Sequence, residues 1–255
     1  MNFLNLTRHR TKIYLFVGGF LPMFMVGCAS HDNHHGHILS DNQEQITPEF
    51  DIVHTKVFTE GDFVVFQQET HGQMGSQRPS PQGALAGAPV YSYVWPTSLN
   101  SKTLGFGPDQ GILALAMTVH PDFDDTPLYD ENGDGDLKND GDEWHSHWVV
   151  LSQDDACGPG ALKVKDIPEG YDQGLPETWP GLPLFIDSPG YAFSMADAEL
   201  LVKVPKAVLG VQSSFNFDGV TAALRVNQQL HAPLLCVEEV FDVASGDLSL
   251  PGVSQ

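Results

Sequence analysis

The chain has 255 residues, of which 12 are Lys or Arg and 33 are Asp or Glu, so its formal net charge at pH 7 is −21. An acidic surface repels the phosphates of nucleic acids, whose recognition depends on clustered Lys and Arg. The composition therefore argues against nucleic acid as a partner, and it favours cations and solubility.

The first element in chain order has the features of a secretory signal peptide. Residues 1–12 contain Arg8, Arg10 and Lys12 and no acidic residue, and an apolar run follows over residues 13–26. This run is too short to cross a bilayer comfortably, since a span takes roughly 20 apolar residues. Without these three cations the chain keeps 9 of its 12 basic residues against 33 acidic ones, a net charge of −24.

The apolar run ends in the letters MVGC, in which a small residue directly precedes a cysteine. This stretch resembles the lipobox of bacterial lipoprotein precursors. The resemblance implies that residues 1–27 are a lipoprotein signal peptide, with Gly27 before the cut and Cys28 as the lipid-modified first residue of the mature chain. Met25 stands where the family usually has Leu, and Ala29 after the cysteine implies sorting to the outer membrane. The alternative interpretation is an uncleaved N-terminal anchor or a buried helix with a chance cysteine.

Residues 28–49 are polar and poor in large apolar groups, which predicts a flexible tether between the lipid and a folded domain. The segment contains His31, His34, His35 and His37. Short histidine-rich tracts can capture zinc, copper or nickel loosely. The alternative is that these imidazoles simply face solvent.

The remaining residues, 50–255, predict one β-rich globular domain, long enough to bury a sizeable core. Runs of β-branched, aromatic and other apolar residues lie at 51–58, 62–69, 89–95, 111–119, 144–151, 161–167, 182–187, 215–227 and 234–243. The first two runs are separated by a short turn and predict a hairpin. A helical pattern is present only over residues 196–204, where Pro205 would end the helix.

Short β-rich runs punctuated by 25 Gly and 18 Pro indicate an all-β fold. We predict a single antiparallel β-sandwich or open barrel. Three cysteines are present, and assigning Cys28 to the lipid leaves Cys157 and Cys236. In an exported protein this even pair predicts a disulfide, with two buried thiols as the alternative.

Ten carboxylates crowd the segment between two of the predicted strands, residues 121–143, which we call the acidic loop. Like charges 4 Å apart repel by roughly 1 kcal/mol even in bulk water, so a divalent cation would relieve the crowding. The letters DENGDG match the first half of an EF-hand calcium loop, with oxygen donors at Asp130, Asn132, Asp134 and Asp136. The second half fails, because Gly141 stands where a bidentate Glu is required. We predict a calcium site outside the EF-hand fold, and a solvated loop is the alternative.

Three histidines flank the acidic loop. His120 leaves the strand before it, and His145 and His147 enter the strand after it. Side chains two residues apart lie on the same face of a strand, and neighbouring strands can bring the three rings together. Imidazole suits zinc and copper and does not suit calcium. We therefore predict a transition-metal cluster of these three histidines, with Asp122 or Asp124 as fourth ligand or as an acceptor that orients a ring. The alternative is that each histidine is a structural residue.

Motifs of nucleophilic catalysis and nucleotide binding are absent: the chain has no G-x-S-x-G, no H-E-x-x-H and no P-loop. The favoured interpretation is a non-catalytic cell-envelope lipoprotein that binds a divalent cation, either structurally or to hold a glycan or an envelope protein. A periplasmic enzyme dependent on zinc or iron is the second interpretation. A structural lipoprotein with no bound ion is the third.

Overall fold

The structure is a computed structural model and describes residues 36–210 and 214–255. The predicted signal peptide, Cys28 and the first part of the predicted tether lie outside these residues. Within them, no helix is both long and apolar enough to span a membrane.

The described residues form β-structure with one short α-helix, α1 (Lys206–Leu209). The strands are β1 (His37–Leu39), β2 (Ile52–Glu60), β3 (Phe63–Thr70), β4 (Pro89–Pro96), β5 (Ile112–Val119), β6 (His145–Gln153), β7 (Leu162–Val164), β8 (Ile186–Asp187), β9 (Ala192–Ala196), β10 (Glu199–Pro205), β11 (Asn216–Phe217), β12 (Val220–Val226), β13 (Leu235–Val243) and β14 (Gly252–Val253).

Six strands close into a barrel in the order β5-β4-β12-β13-β7-β6, and the pairing of β5 with β6 completes the circle. All of these pairings are antiparallel, and β8 pairs with the part of β6 that β7 leaves unpaired. The prediction of an antiparallel all-β fold is confirmed. A strand pattern in sequence does not show which edges meet, so closure of the barrel is visible only in the structure.

A second sheet, in the order β1-β2-β3-β10-β9, packs against one side of the barrel. The hairpin predicted for the first two runs is the β2–β3 pair of this sheet. Its Phe66 meets barrel residues Trp95 and Trp148, with ring centroids 5.8 Å apart in both pairs. The shared core buries large aromatic area, which is the main stabilising contribution in such a layered β-protein.

Strand β5 is buried on both faces, which explains its continuous apolar sequence. Leu113, Leu115 and Met117 belong to the core shared with the second sheet, whereas Ala114 and Ala116 belong to the core inside the barrel. Because side chains alternate between the two faces of a strand, the two cores alternate along β5.

The predicted helix over residues 196–204 is wrong, because this segment forms β10 and the turn before it. Leu200, Val202 and Val204 are fully buried at every second position. β10 pairs with both β3 and β9. The turn from β9 uses Asp197 with φ 52, a conformation that short polar residues tolerate. A period of two in the apolar residues outweighed the helical propensity of Ala, Glu and Leu.

The folded domain begins earlier in the chain than the sequence analysis predicted, and the predicted disulfide is present. Residues 37–39 of the predicted tether form β1, and Ile38 is completely buried, so the folded part begins before residue 50. Cys157 and Cys236 form the predicted disulfide, with Cα atoms 5.5 Å apart and a sequence separation of 79. In the loop-entropy model a closure of this length restricts the unfolded chain by roughly 4 to 5 kcal/mol.

Candidate metal centre

The register of β5 and β6 brings three imidazoles to the same end of the barrel. Thr118 pairs with His145 and Ala116 pairs with His147, while His120 directly follows β5. Alternation places His145 and His147 on the inner face of β6, and Trp148 lies on the outer face in the core shared with the second sheet. All three histidines are buried.

The fourth member of the group is Asp125, a residue of the acidic loop that the sequence analysis did not single out as a ligand. Its Oδ1 lies 3.2 Å from Nε2 of His120, 3.3 Å from Nε2 of His145 and 3.2 Å from Nε2 of His147. We call these four residues the His3Asp cluster. Their donor atoms all lie within 4.8 Å of one another, and each residue is buried.

The spacing of the donor atoms fits a tetrahedral ion. Four ligands about 2.0 to 2.1 Å from Zn²⁺ lie roughly 3.3 to 3.4 Å from one another. The three distances from Asp125 Oδ1 fall within about 0.2 Å of that value. His120 Nε2 and His145 Nε2 are 2.9 Å apart. The four donors lie within 4.8 Å of one another and not at one common distance, so the rings must shift before all four surround one ion.

The opposite nitrogen of each ring has an oxygen partner outside the cluster. His120 Nδ1 lies 2.9 Å from the carbonyl oxygen of Phe123, and His145 Nδ1 lies 2.8 Å from that of Glu143. His147 Nδ1 lies 3.1 Å from Ser188 Oγ and 3.3 Å from the carbonyl oxygen of Asp187. A carbonyl can only accept, so these contacts place the ring proton on Nδ1 and leave the Nε2 lone pair directed into the cluster.

The protein supplies no donor at the centre of the cluster. Asp125 Oδ1 and His147 Nε2 are buried atoms with no hydrogen-bond partner. With the Nδ1 protons in place, three lone pairs and a carboxylate oxygen face one another. Burial of a charge without a partner is strongly unfavourable. The arrangement is stable with a cation at its centre, whether a metal ion or a proton.

The pKa values of the cluster residues are shifted in different directions. Burial lowers the pKa of His145 to about 4, aided by the charges of His120 and His147. Burial acts in the same direction on His120, but the charge of Asp125 outweighs it and raises the pKa of His120 above 6.5. Burial opposes ionisation of Asp125, yet the charges of His147 and His120 hold the pKa of this carboxyl well below 3.8. The carboxylate is therefore ionised and ready to bind a cation.

Two local contacts position the segment that carries Asp125. The ring of Phe123 stacks on His120, with centroids 3.9 Å apart and an angle of 6° between the planes. The backbone N–H of His120 donates to the carbonyl of Gly141, at 2.7 Å. A Cβ at Gly141 would overlap the carbonyl oxygen of Phe123, so only glycine permits this approach. The same glycine explains why the twelfth EF-hand position lacks its Glu.

Asp122 and Asp124, which the sequence analysis proposed as fourth ligand or ring acceptor, do neither. Asp122 accepts hydrogen bonds from the backbone N–H groups of Gln82 and Gly83. Asp124 accepts from the backbone N–H and hydroxyl of Thr126. The partners of Asp122 lie in the segment between β3 and β4, and those of Asp124 lie in the acidic loop itself. The pattern of alternating aspartates therefore misidentified which of them faces the histidines.

The predicted calcium ligands lie in the exposed part of the acidic loop. Asp130 accepts from the N–H of Asp134 and of Gly135, Asn132 accepts from Asp134, and Asp134 accepts from Asp136. Within residues 36–210 and 214–255, the His3Asp cluster is the only set of three or more His, Cys, Asp or Glu whose donor atoms converge. The four predicted donors thus organise the loop through their own backbone contacts.

Asp140 is a second buried carboxylate of the loop, besides Asp125. Its side chain is inaccessible to solvent, one oxygen accepts from the N–H of Glu131 at 3.2 Å, and Oδ1 has no partner. Burial, and then the charges of Asp130, Asp124 and Asp134, raise the pKa of Asp140 above 3.8. A second position within the loop therefore combines crowded negative charge with an unpartnered oxygen.

The chain matches no protein-family model, curated protein or solved structure. Its function is therefore inferred from the geometry of its own residues.

Proposed function

We propose that this protein is a lipid-anchored protein of the bacterial cell envelope whose barrel binds one divalent transition-metal ion at the His3Asp cluster. The observation that carries the proposal is the convergence of three Nε2 atoms and one carboxylate oxygen, all buried, of which His147 Nε2 and Asp125 Oδ1 have no hydrogen-bond partner. The ion serves to hold a ligand in the barrel and is not the centre of a reaction. A glycan or an envelope protein as further partner stays a prediction.

The donor set favours zinc among the ions considered. Three imidazoles with one carboxylate at tetrahedral spacing suit Zn²⁺, and imidazole also suits copper and iron. Calcium requires six to eight oxygen ligands, so it does not suit this cluster. Copper or iron in place of zinc would change the identity of the ion and leave the site itself unchanged.

Elemental analysis of the full-length chain, produced without a histidine tag, tests the metal site. After exposure to zinc, copper and iron and removal of unbound ions, we expect about one transition-metal ion per chain, with zinc preferred. A chain that retains only a trace of any of these metals would contradict the proposal.

The lipid anchor is supported by the N-terminal pattern, in which three cations precede an apolar run that ends at Gly27 and Cys28. The presence of a disulfide agrees with export, because disulfides persist in oxidising compartments. In the bacterial cell, Cys28→Ser should abolish incorporation of labelled palmitate and release the protein from the membrane fraction. Equal labelling of the variant and the unaltered chain would refute the anchor.

A metal-dependent enzyme is the second candidate, and one observation favours it. His120, Asp125 and His147 line a cavity inside the barrel, so an ion held there has a side that faces open space. A zinc-bound water in such a position titrates near pH 7. The Co²⁺-substituted protein should then change its visible spectrum between about pH 6 and pH 8, whereas four protein ligands without water give a constant spectrum.

Calcium binding by the acidic loop is a separate proposal and is supported by Asp140. Its partnerless Oδ1 is buried beside three further carboxylates, which a divalent cation would neutralise. The loop would then hold calcium for stability, and the His3Asp cluster would hold the transition metal.

A further inference from the structure

An apolar cavity of about 80 Å³ lies inside the barrel. Its walls are made almost entirely by aliphatic side chains of β4, β5, β6, β7, β12 and β13. A buried water needs polar partners, and cavities lined by aliphatic groups stay dry. The cavity is therefore a site for an apolar group.

The cavity exists because small side chains coincide on three neighbouring strands. Ala116 on β5, Ser92 on β4 and Ala222 on β12 all line it. The strand register pairs Ala222 directly with Ser92. Register shifts between β12 and β13, on both sides of Ala222, displace the strand that forms the next wall. These small residues leave space that larger aliphatic residues would fill.

The cavity is open on one side. Most of its lining is buried, but Val240 is 46% exposed and Leu248 is 38% exposed. Both residues are apolar and lie at the wall formed by β13 and the segment after it. A ligand can therefore enter beside them without passing through the metal site.

The metal site and an unpartnered hydroxyl share the same cavity. His120, Asp125 and His147 line it together with Thr118. Thr118 is 7% exposed, and its Oγ1 has no hydrogen-bond partner. Ser92, the other hydroxyl residue in the lining, donates instead to the carbonyl of Ala222 at 3.0 Å. An unsatisfied buried hydroxyl is costly, so the Thr118 hydroxyl points to a polar atom of a ligand.

The net charge of the metal site indicates that the polar group of the ligand is anionic. A divalent ion held by three neutral imidazoles and one carboxylate leaves one net positive charge in an apolar interior. An uncompensated charge is strongly unfavourable there, and one anionic ligand neutralises it. Zn²⁺ can expand from four to five ligands, which gives the anion a position on the side of the cavity.

We propose that the barrel binds a short-chain aliphatic monocarboxylate. The carboxylate coordinates the metal ion and accepts a hydrogen bond from Thr118 Oγ1, and the alkyl chain fills the cavity. A cavity that binds benzene measures about 150 Å³ and one water needs roughly 10 to 15 Å³, so a space of about 80 Å³ suits a chain of a few carbons. This inference rests on the proposed metal site.

The test is a titration of the full-length, Co²⁺-loaded chain with acetate, propanoate, butanoate and hexanoate, followed by the visible bands of the cobalt ion. Each added methylene should tighten binding about fourfold until the cavity is filled. Ethanol and butan-1-ol, which are neutral, should bind at least tenfold more weakly than the carboxylates of equal length. Equal binding of alcohols and carboxylates would overturn the anionic ligand.

Two kinds of variant distinguish the contribution of the carboxylate group of the ligand to binding from that of its alkyl chain. Thr118→Val should weaken all the carboxylates about tenfold or more and leave the dependence on chain length intact. Ala222→Val should remove the gain from chain length and leave acetate binding unchanged, and Ala116→Val provides a second, independent filling of the same cavity. Thr59→Val and Ala192→Val, both exposed on the second sheet, are the matched controls and should bind like the unaltered chain.

The outcomes distinguish this inference from the metal site on which it rests. A chain that binds no Co²⁺ refutes both. A chain that binds Co²⁺ but whose spectrum no carboxylate alters keeps the metal site and refutes the cavity ligand. Unchanged chain-length dependence in both alanine-to-valine variants also refutes it.

Discussion

The acidic loop and the His3Asp cluster are neighbours in sequence, and they use carboxylates in opposite ways. In the exposed part of the loop, the carboxylates of Asp130 and Asp134 accept hydrogen bonds from the backbone of the loop itself. In the cluster, the single carboxylate of Asp125 is buried, and its Oδ1 has no hydrogen-bond donor, although three Nε2 atoms surround it. The difference teaches that convergence and lack of partners identify a cation site better than the density of negative charge.

Asp124 and Asp125 show this difference between adjacent residues. Asp124 accepts hydrogen bonds from Thr126 and from the N–H of Asp140, so it stabilises the turn. Asp125 points the other way and enters the barrel. One step along the backbone therefore separates a turn residue from a proposed metal ligand.

The largest expected effect comes from removing two ligands of the cluster. Loss of an outer hydrogen-bond partner alone lowers metal affinity about 10- to 100-fold, so His145→Ala with His147→Ala should lower it by more than that. Elemental analysis should then find almost no transition metal in the double variant.

The matched control for that variant is His71→Ala with His231→Ala, two exposed histidines on other parts of the surface. It should retain the full metal content. If the cluster variant and this control bind equal amounts of metal, the comparison fails, because the metal would then bind outside the His3Asp cluster.

A smaller loss of metal affinity is expected from a substitution at the place where the acidic loop contacts the His3Asp cluster. Gly141→Ala places a methyl group against the carbonyl oxygen of Phe123, and Asp125, two residues further along the chain, would shift with it. We expect metal affinity, measured by calorimetry, to fall about 10- to 100-fold, as for loss of an orienting contact.

Gly133→Ala is the control within the same loop. Its φ of +73 costs about 1 kcal/mol with a side chain, but a Cβ there meets nothing within 4 Å. Metal affinity should be unchanged in this variant. Similar losses in both variants would mean that any strain in the loop disturbs the cluster, and that Gly141 has no special part.

The pH dependence of metal binding sharpens the comparison further. A metal ligand must be unprotonated, and Asp125 holds the pKa of His120 above 6.5. Above that pKa the affinity should be constant. Below it, one proton must leave for each metal bound, so the affinity should fall about tenfold per pH unit.

Two other members of the cluster, His145 and Asp125, do not add to the pH dependence of metal affinity near neutrality. The pKa of His145 is lowered to about 4 and that of Asp125 lies well below 3.8, so both are unprotonated there. Calorimetric titrations between pH 8 and pH 5 measure the slope. An affinity that is independent of pH over this range would contradict the assignment to His120.

The smallest expected effect concerns calcium in the acidic loop. At 10 to 100 times its dissociation constant, calcium would stabilise the fold by about 1.4 to 2.7 kcal/mol, which corresponds to a rise in Tm of about 3 to 10 °C. Asp134→Asn should reduce this rise and leave the transition-metal content unchanged. Asp172→Asn, an exposed acidic residue outside the loop, is the control. Identical melting curves with calcium and with chelator would remove calcium from the loop.

Several parts of the fold follow from local patterns. The hairpin of β2 and β3 and the strands β4, β5, β6 and β13 were predicted from runs of apolar residues, because the side chains of a strand alternate and β-branched residues favour it. β10 was mistaken for a helix, because its pairing with β3 and β9 is not evident from its own letters.

The sequence by itself determined that His145 and His147 share one face of a strand and that carboxylates crowd the loop before them, because alternation and charge are local properties. Tertiary structure decided which carboxylate joins the histidines, because the path of the loop depends on the close approach of Gly141 to Phe123. Tertiary structure also decided that the cluster opens into an apolar cavity. Closure of the barrel and the coincidence of small residues on three strands require pairings between residues far apart in the chain, and no local pattern encodes those distances.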